Sequence, residues 1–131
     1  AGVFSLSALA HEPKGESFKL SGKLTSVELT DEGGTITVSA EAGIYGKVFL
    51  TYNVKLNPAL PNQGHFSGRG VGFNDDGNRE SGARQGVFRR EGSIMKFYSL
   101  DDVSDGRLNY CETIINLNES YQTLVRKKKA A

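Results

Sequence analysis

Short clusters of turn-forming residues divide the chain between Thr30 and Tyr121 into segments of strand length. The clusters recur about every 12 to 16 residues, a spacing that suits antiparallel hairpins and is too short for helical crossovers. No segment has a convincing helical periodicity, so the sequence predicts an all-β protein. The clusters are Asp31-Glu32-Gly33-Gly34, Gly43 to Gly46, Asn57 to Gly64, Asn74 to Asn78, Glu91-Gly92, Ser104-Asp105-Gly106 and Asn118-Glu119-Ser120.

The segments between the turns alternate apolar and polar residues, as half-buried strands do. The clearest alternation runs from Val48 to Leu56. Near Thr25-Ser26 the apolar residues change parity, which predicts a β-bulge. The predicted strands are Val3 to Leu9, Phe18 to Leu29, Thr35 to Ala40, Val48 to Leu56, Phe66 to Phe73, Ser81 to Arg90, Ile94 to Val103, Leu108 to Leu117 and Tyr121 to Val125.

The strand number and the short turns favour one architecture over another. They predict an antiparallel up-and-down (meander) barrel of about eight to nine strands. A Greek-key sandwich ranks second because it needs longer connections than most of those in this chain. Residues 1–131 form a single predicted domain, with residues 126–131 as a frayed basic tail.

Charge and cysteine content exclude several partner classes. Sixteen Lys and Arg against fifteen Asp and Glu leave a net charge of +1 in 131 residues, so neither nucleic acid nor a membrane is an expected partner. The single cysteine, Cys111, excludes an intrachain disulfide and makes a thiolate metal site unexpected. A lone thiol favours the cytoplasm, and export stays open because the sequence begins at Ala1 and not at Met.

Three motifs that suggest chemistry have simpler structural explanations. The alternating glycines of Gly68-Arg69-Gly70-Val71-Gly72 lie within a strand pattern, so they indicate strand bending rather than nucleotide binding. Asp75-Asp76-Gly77-Asn78 is a hairpin turn and lacks the ligand spacing of a calcium loop. The acidic group Asp101, Asp102 and Asp105 is interpreted as surface charge at a strand end, unless desolvation makes one carboxylate a general base. We therefore expect no cofactor and no metal, and the sequence identifies no catalytic residue.

Strand parity leaves two candidate interiors between Arg84 and Leu117. In either case the inward side chains of three neighbouring strands would form one wall. The sequence alone does not decide between the two sets. The first set is Arg84, Gly86, Phe88, Met95, Phe97, Ser99, Asn109, Cys111, Thr113 and Ile115; the second is Val87, Ile94, Tyr98, Leu100, Leu108, Tyr110 and Ile114, with Arg89, Lys96 and Glu112 among them.

A series of glycine-containing and turn segments lies between Ala42 and Val125: Tyr45-Gly46-Lys47-Val48, Tyr52-Asn53-Val54, Gly64-His65-Phe66-Ser67-Gly68-Arg69-Gly70, Asp76-Gly77, Gly82, Gly86-Val87-Phe88 and Asp105-Gly106. Their spacing resembles that of the allene oxide cyclase-like barrels, in particular small bacterial members of unassigned function. The resemblance implies an eight-stranded antiparallel barrel with an apolar cavity, often in an oligomer. It also implies that any catalysis would guide a reactive apolar substrate by shape and without a cofactor. The polar residues of those cyclases have no positional match here, so catalysis is not carried over.

Two functional hypotheses follow. In the first, the barrel encloses a small apolar or aromatic molecule, either as a binder or as a cofactor-independent isomerase or cyclase. The expected ligand-lining residues are Tyr52, Arg84, Phe88, Phe97 and Tyr110. In the second, the protein is a structural or interaction module with a filled barrel and a sheet face that forms a homo-oligomer. Cavity volume separates the two, because a ligand site of this kind needs a few hundred cubic ångströms.

Overall fold

A computed structural model describes residues 17–119 and 123–129 of the chain. The predicted strand Val3 to Leu9 lies outside these residues. Within the described residues, the one helical element is the short 3-10 turn Gly43–Tyr45. The strands are β1 (Ser17–Thr30), β2 (Gly33–Glu41), β3 (Lys47–Leu56), β4 (Gln63–Phe73), β5 (Arg79–Glu91), β6 (Ile94–Val103), β7 (Leu108–Asn116) and β8 (Thr123–Lys129).

Consecutive strands pair antiparallel, so the prediction of an all-β, up-and-down protein is confirmed. The backbone of β1 also pairs with that of β8, from Ser17 opposite Lys128 to Gly22 opposite Thr123. Arg126 to Lys129 therefore lie in a paired strand and not in a frayed tail. The predicted bulge is confirmed as well, because the β1–β2 register shifts between Leu24 and Ser26.

The register of the sheet decides which side chains face the concave interior. Directly paired residues of neighbouring strands point to the same face. Tyr52 of β3 is opposite Gly68, Gly68 is opposite Arg84, and Arg84 is opposite Asp101, which in turn is opposite Asn109. The apolar pattern of β3 therefore fixes the parity of four strands.

The first of the two candidate sets is the buried one. Arg84 is 3% exposed and Phe97 1%, whereas Val87 and Leu100 of the second set are 56% and 57% exposed. The sheet thus buries the set that contains Arg84, Ser99 and Asn109 and leaves the set with more apolar residues on its convex face. The interior continues across β2 and β3, where Ile36, Val38, Leu50 and Tyr52 are almost fully buried.

Four aromatic rings fill the middle of the interior. The Phe97 centroid lies 4.6 Å from that of Tyr52, 5.1 Å from that of Phe66 and 5.6 Å from that of Phe88. The Tyr52 and Phe66 centroids are 5.3 Å apart. These separations are within the range of favourable aromatic pairs, and each ring also buries a large apolar area. The centre of the sheet is therefore packed with side chains.

Gly68 permits the close approach of β3 and β4. A Cβ atom at Gly68 would lie 1.7 Å from the carbonyl oxygen of Thr51, so alanine would push the two backbones apart. We expect Gly68→Ala to lower the free energy of unfolding by about 1–3 kcal/mol, the range typical of overpacking.

Gly82→Ala is the matched control, because its Cβ would meet its nearest neighbour, the Asp102 carbonyl oxygen, at 3.4 Å. Chemical denaturation of the two variants and the wild type measures both losses. Equal losses for Gly68→Ala and Gly82→Ala would contradict the close approach of β3 and β4.

Candidate binding site at the Arg84 end of the sheet

Arg84 and Asp101 form a buried ion pair between β5 and β6. The two residues are directly opposite in the strand register, and Arg84 Nε donates to Asp101 Oδ1 at 3.1 Å. Ser99 joins them, because its hydroxyl accepts from Arg84 Nη2 at 3.2 Å and donates to Asp101 Oδ1 at 2.8 Å. All three residues are at most 3% exposed. The sequence thus places a charged, hydrogen-bonded group where a purely apolar core would be simpler to build.

The guanidinium of Arg84 also lies against the aromatic core. Its carbon is 4.7 Å from the centroid of the Tyr52 ring, which is a cation–π contact. Tyr52 Oη lies 2.9 Å from Thr113 Oγ1, which in turn is 3.6 Å from Cys111 Sγ. Tyr52 therefore links the ion pair to the polar side chains of β7.

The pKa values of Tyr52 and Arg84 are both raised. Burial raises the pKa of Tyr52, so its phenol keeps its proton. Burial by itself lowers the pKa of Arg84, but the negative charge of Asp101 acts against this, and the pKa lies above its ordinary value. Arg84 is consequently a permanent cation.

One nitrogen of the guanidinium has N–H groups that donate to no described residue. Arg84 Nη1 is buried and has no hydrogen-bond partner among the residues that the structure describes. Arg84 and Asp101 line a cavity of about 30 Å³ that is partly open at this end of the sheet. The rest of its lining is mostly apolar side chains and bare glycine backbone, including Val48, Leu50, Val103, Gly70, Gly72 and Gly82. That volume matches about one water molecule, or one polar group of a larger molecule.

Tyr45 also lines this cavity. The 3-10 turn that carries it is held by hydrogen bonds from Ala42 N to Gly46 O at 2.7 Å and from Tyr45 N to Ala42 O at 3.1 Å. Tyr45 is 7% exposed, and burial raises the pKa of its phenol, partly offset by side-chain hydrogen bonds to Arg107 and Asn109. The β2–β3 connection therefore places an aromatic side chain, and the backbone around it, beside the polar end of the interior.

The sequence-predicted ligand residues divide into three groups. Tyr52 and Arg84 are in contact next to the cavity, and Phe88 and Phe97 are buried in the aromatic core. Tyr110 lies on the convex face, opposite Leu100, and does not line the interior. It was placed inside because its strand alternates equally well in either parity.

Sequence reasoning missed Asp101, Ser99 and Tyr45 as site residues. Asp101 was interpreted as surface charge, yet it is 3% exposed. The signal that could have found it is its place in β6, two residues from Ser99 and four from Phe97, on the parity that faces Arg84. Tyr45 lies in a turn cluster, where no alternation indicates burial.

A wider open cleft of about 790 Å³ lies at the opposite end of the sheet. Phe88 contributes to it, but much of its wall is formed by His65, Val87 and Arg89, which are exposed. Unlike the Arg84 cavity, it presents no buried polar atom without a partner among the described residues. This cleft is therefore the weaker candidate for a binding site.

Within the described part of the chain, no three His, Cys, Asp or Glu side chains are grouped as a metal site would need. The same residues contain no helix long and apolar enough to cross a membrane. Comparisons with family models, with curated proteins and with solved structures find no match for this chain. What can be inferred about function therefore depends on the geometry at Arg84.

Proposed function

We propose that this protein binds a small, uncharged, apolar or aromatic molecule at the Arg84 end of the sheet. The observation that carries the proposal is the buried Arg84 Nη1, a donor without a partner among the described residues, beside a partly open and mainly apolar cavity. A few polar groups within an apolar lining are what orients a ligand in a small-molecule site. Since the cavity holds only one polar group, the apolar body of the ligand would extend past Tyr45 towards solvent.

The energetics of the ion pair support a functional role. Burying two charges is expensive, and well-packed apolar residues in their place are often neutral or stabilising. Arg84 and Asp101 nevertheless occupy the interior with side-chain exposures of 1% and 2%. Polar groups that break the rule of an apolar core are expected at functional sites. Ligand binding is a reason for this chain to keep them.

The proposal treats the curled sheet as a closed, eight-stranded barrel. The backbone pairing of β1 with β8 supports closure, since it leaves neither strand as a free edge. In a closed barrel a ligand reaches the interior only through an end, and the Arg84 cavity lies at one. The resemblance to allene oxide cyclase-like barrels fits the same picture, and family membership is part of this proposal.

An isomerase or cyclase would use the same residues. A carbonyl oxygen that accepts from Arg84 Nη1 would be stabilised there as it gained negative charge, without a cofactor. The neutral phenol of Tyr52 lies against the same guanidinium, but its hydroxyl is next to Thr113 and not next to the cavity. Binding is accordingly our main proposal, and catalysis is its extension.

A filled interaction module is the second candidate, and two observations favour it. The aromatic core is packed, and the cavity is far smaller than a few hundred cubic ångströms. In addition, the convex face of β5 to β7 exposes Val87, Leu100 and Leu108, each by more than half of its surface. Such a patch is typical of a protein contact.

Thermal unfolding with a panel of neutral carbonyl compounds, such as cyclohexanone and acetophenone, tests the main proposal. A ligand present at about 100 times its Kd adds about 2.7 kcal/mol to the free energy of unfolding. The control is the double variant Arg84→Met/Asp101→Leu, which replaces the ion pair by apolar side chains and should lose the shift.

The absence of a shift across the panel, together with a dimer in light scattering, would favour the interaction module. An equal shift in the double variant would place binding away from Arg84.

A further inference from the structure

We infer that Asp101 sets the charge selectivity of the site, so that the cavity accepts an uncharged hydrogen-bond acceptor and rejects a carboxylate. This inference depends on the proposed binding function and narrows its ligand class. It makes Asp101 a specificity-determining residue in addition to a partner of Arg84.

The charges around the cavity support this. Arg84 is its only cationic lining residue among those described, whereas Asp101 and Glu80 are both carboxylic acids. The guanidinium is already neutralised by Asp101, whose Oδ1 accepts from both Arg84 Nε and Ser99 Oγ. The lining therefore contains two acidic side chains and one basic side chain. A ligand carboxylate would add a further negative charge to this set.

The geometry of the donor leads to the same ligand class. Arg84 Nη1 offers N–H groups, which can donate to a neutral carbonyl oxygen as well as to a carboxylate oxygen. A carboxylate bound in this cavity would also lie near Asp101, because Arg84 and Asp101 line the same space of about 30 Å³. Like charges repel strongly where water is largely excluded. A neutral acceptor gains the hydrogen bond without this repulsion.

Acetate and acetamide are suitable probes because they have the same shape and differ in charge. Their affinities are measured by titration with NMR detection, at constant ionic strength, for the wild type and for Asp101→Asn. Asparagine keeps an oxygen that can accept from Arg84 Nε but removes the negative charge. We expect acetate to bind Asp101→Asn at least about tenfold more tightly than the wild type. The affinity for acetamide should change little. The double variant Arg84→Met/Asp101→Leu lacks the ion pair, so any affinity that it shows measures binding outside the Arg84 site.

Acetate that binds the wild type as tightly as acetamide overturns the inference, and so does an Asp101→Asn variant with no gain in acetate affinity. The wild-type comparison needs no variant, so it decides the question even if Asp101→Asn does not fold. A tenfold gain for acetate in Asp101→Asn, combined with no neutral ligand for the wild type, would retain the role of Asp101 and refute the proposed binding function. The experiment can therefore refute the role of Asp101 and the proposed binding function independently of each other.

Discussion

Asp101→Leu is expected to lower the free energy of unfolding by about 3–5 kcal/mol, because it leaves the Arg84 guanidinium buried without a counter-charge. Arg84 cannot escape this penalty by losing its proton, since arginine stays charged in proteins. Its side chain is 1% exposed, so water does not solvate it either. Urea denaturation followed by circular dichroism measures the loss.

The double variant Arg84→Met/Asp101→Leu supplies the control. Replacing both charges by apolar side chains should restore most of the stability, because exchanging a whole buried ion pair is often neutral or favourable. The double-mutant cycle then gives a large coupling between the two sites. Losses that simply add in the double variant would show that Arg84 and Asp101 do not interact in the folded protein.

Phe97→Ala is the second large expected effect, a loss of about 3–5 kcal/mol in the free energy of unfolding. Phe97 is 1% exposed and its ring contacts those of Tyr52, Phe66 and Phe88. Removing it leaves a cavity at the centre of the aromatic core. The same denaturation experiment measures the change.

Phe49→Ala is the matched control for Phe97→Ala. Phe49 is 42% exposed on the convex face. The Lys47 ammonium lies 5.6 Å from the centroid of its ring. Its removal should change stability by only about 0.5 kcal/mol, as surface substitutions usually do. A loss at Phe49 that equals the loss at Phe97 would mean that the concave and convex faces have been exchanged.

The class of fold follows from the sequence because local patterns determine it. The alternation of β3 and the turn clusters depend on neighbouring residues alone, and both predict antiparallel strands. The change of parity near Thr25 is likewise a local signal, and the β1–β2 register shift between Leu24 and Ser26 matches it. These features need no knowledge of which strands meet.

The orientation of β5 to β7 does not follow from the sequence, because it depends on register. Both parities of these strands contain apolar residues, and the more apolar set is the exposed one, with Leu100 at 57% and Leu108 at 51%. Only the pairing of Tyr52 with Gly68, and of Gly68 with Arg84, carries the parity of β3 into β5. The sequence could therefore name Arg84 and Tyr110 as candidates but could not show which of them faces the interior. The structure places Arg84 inside and Tyr110 on the convex face.

The sequence did not identify Asp101 as the counter-charge of Arg84 for a related reason. An aspartate at a strand end is normally a surface residue. Burial of Asp101 makes sense only once Arg84 is known to lie directly opposite it. Long-range pairing thus determines the chemistry of the site, and the sequence pattern determines the sheet that carries it.

The most direct test of the account is NMR of the Arg84 side-chain N–H groups during titration with acetophenone. A neutral carbonyl that accepts from Nη1 should shift these signals in a saturable way and leave those of Arg89, in the cleft at the opposite end, unchanged. Shifts at Arg89 with Arg84 unaffected, or no shifts at saturating ligand, would contradict the proposal that Arg84 is the binding group.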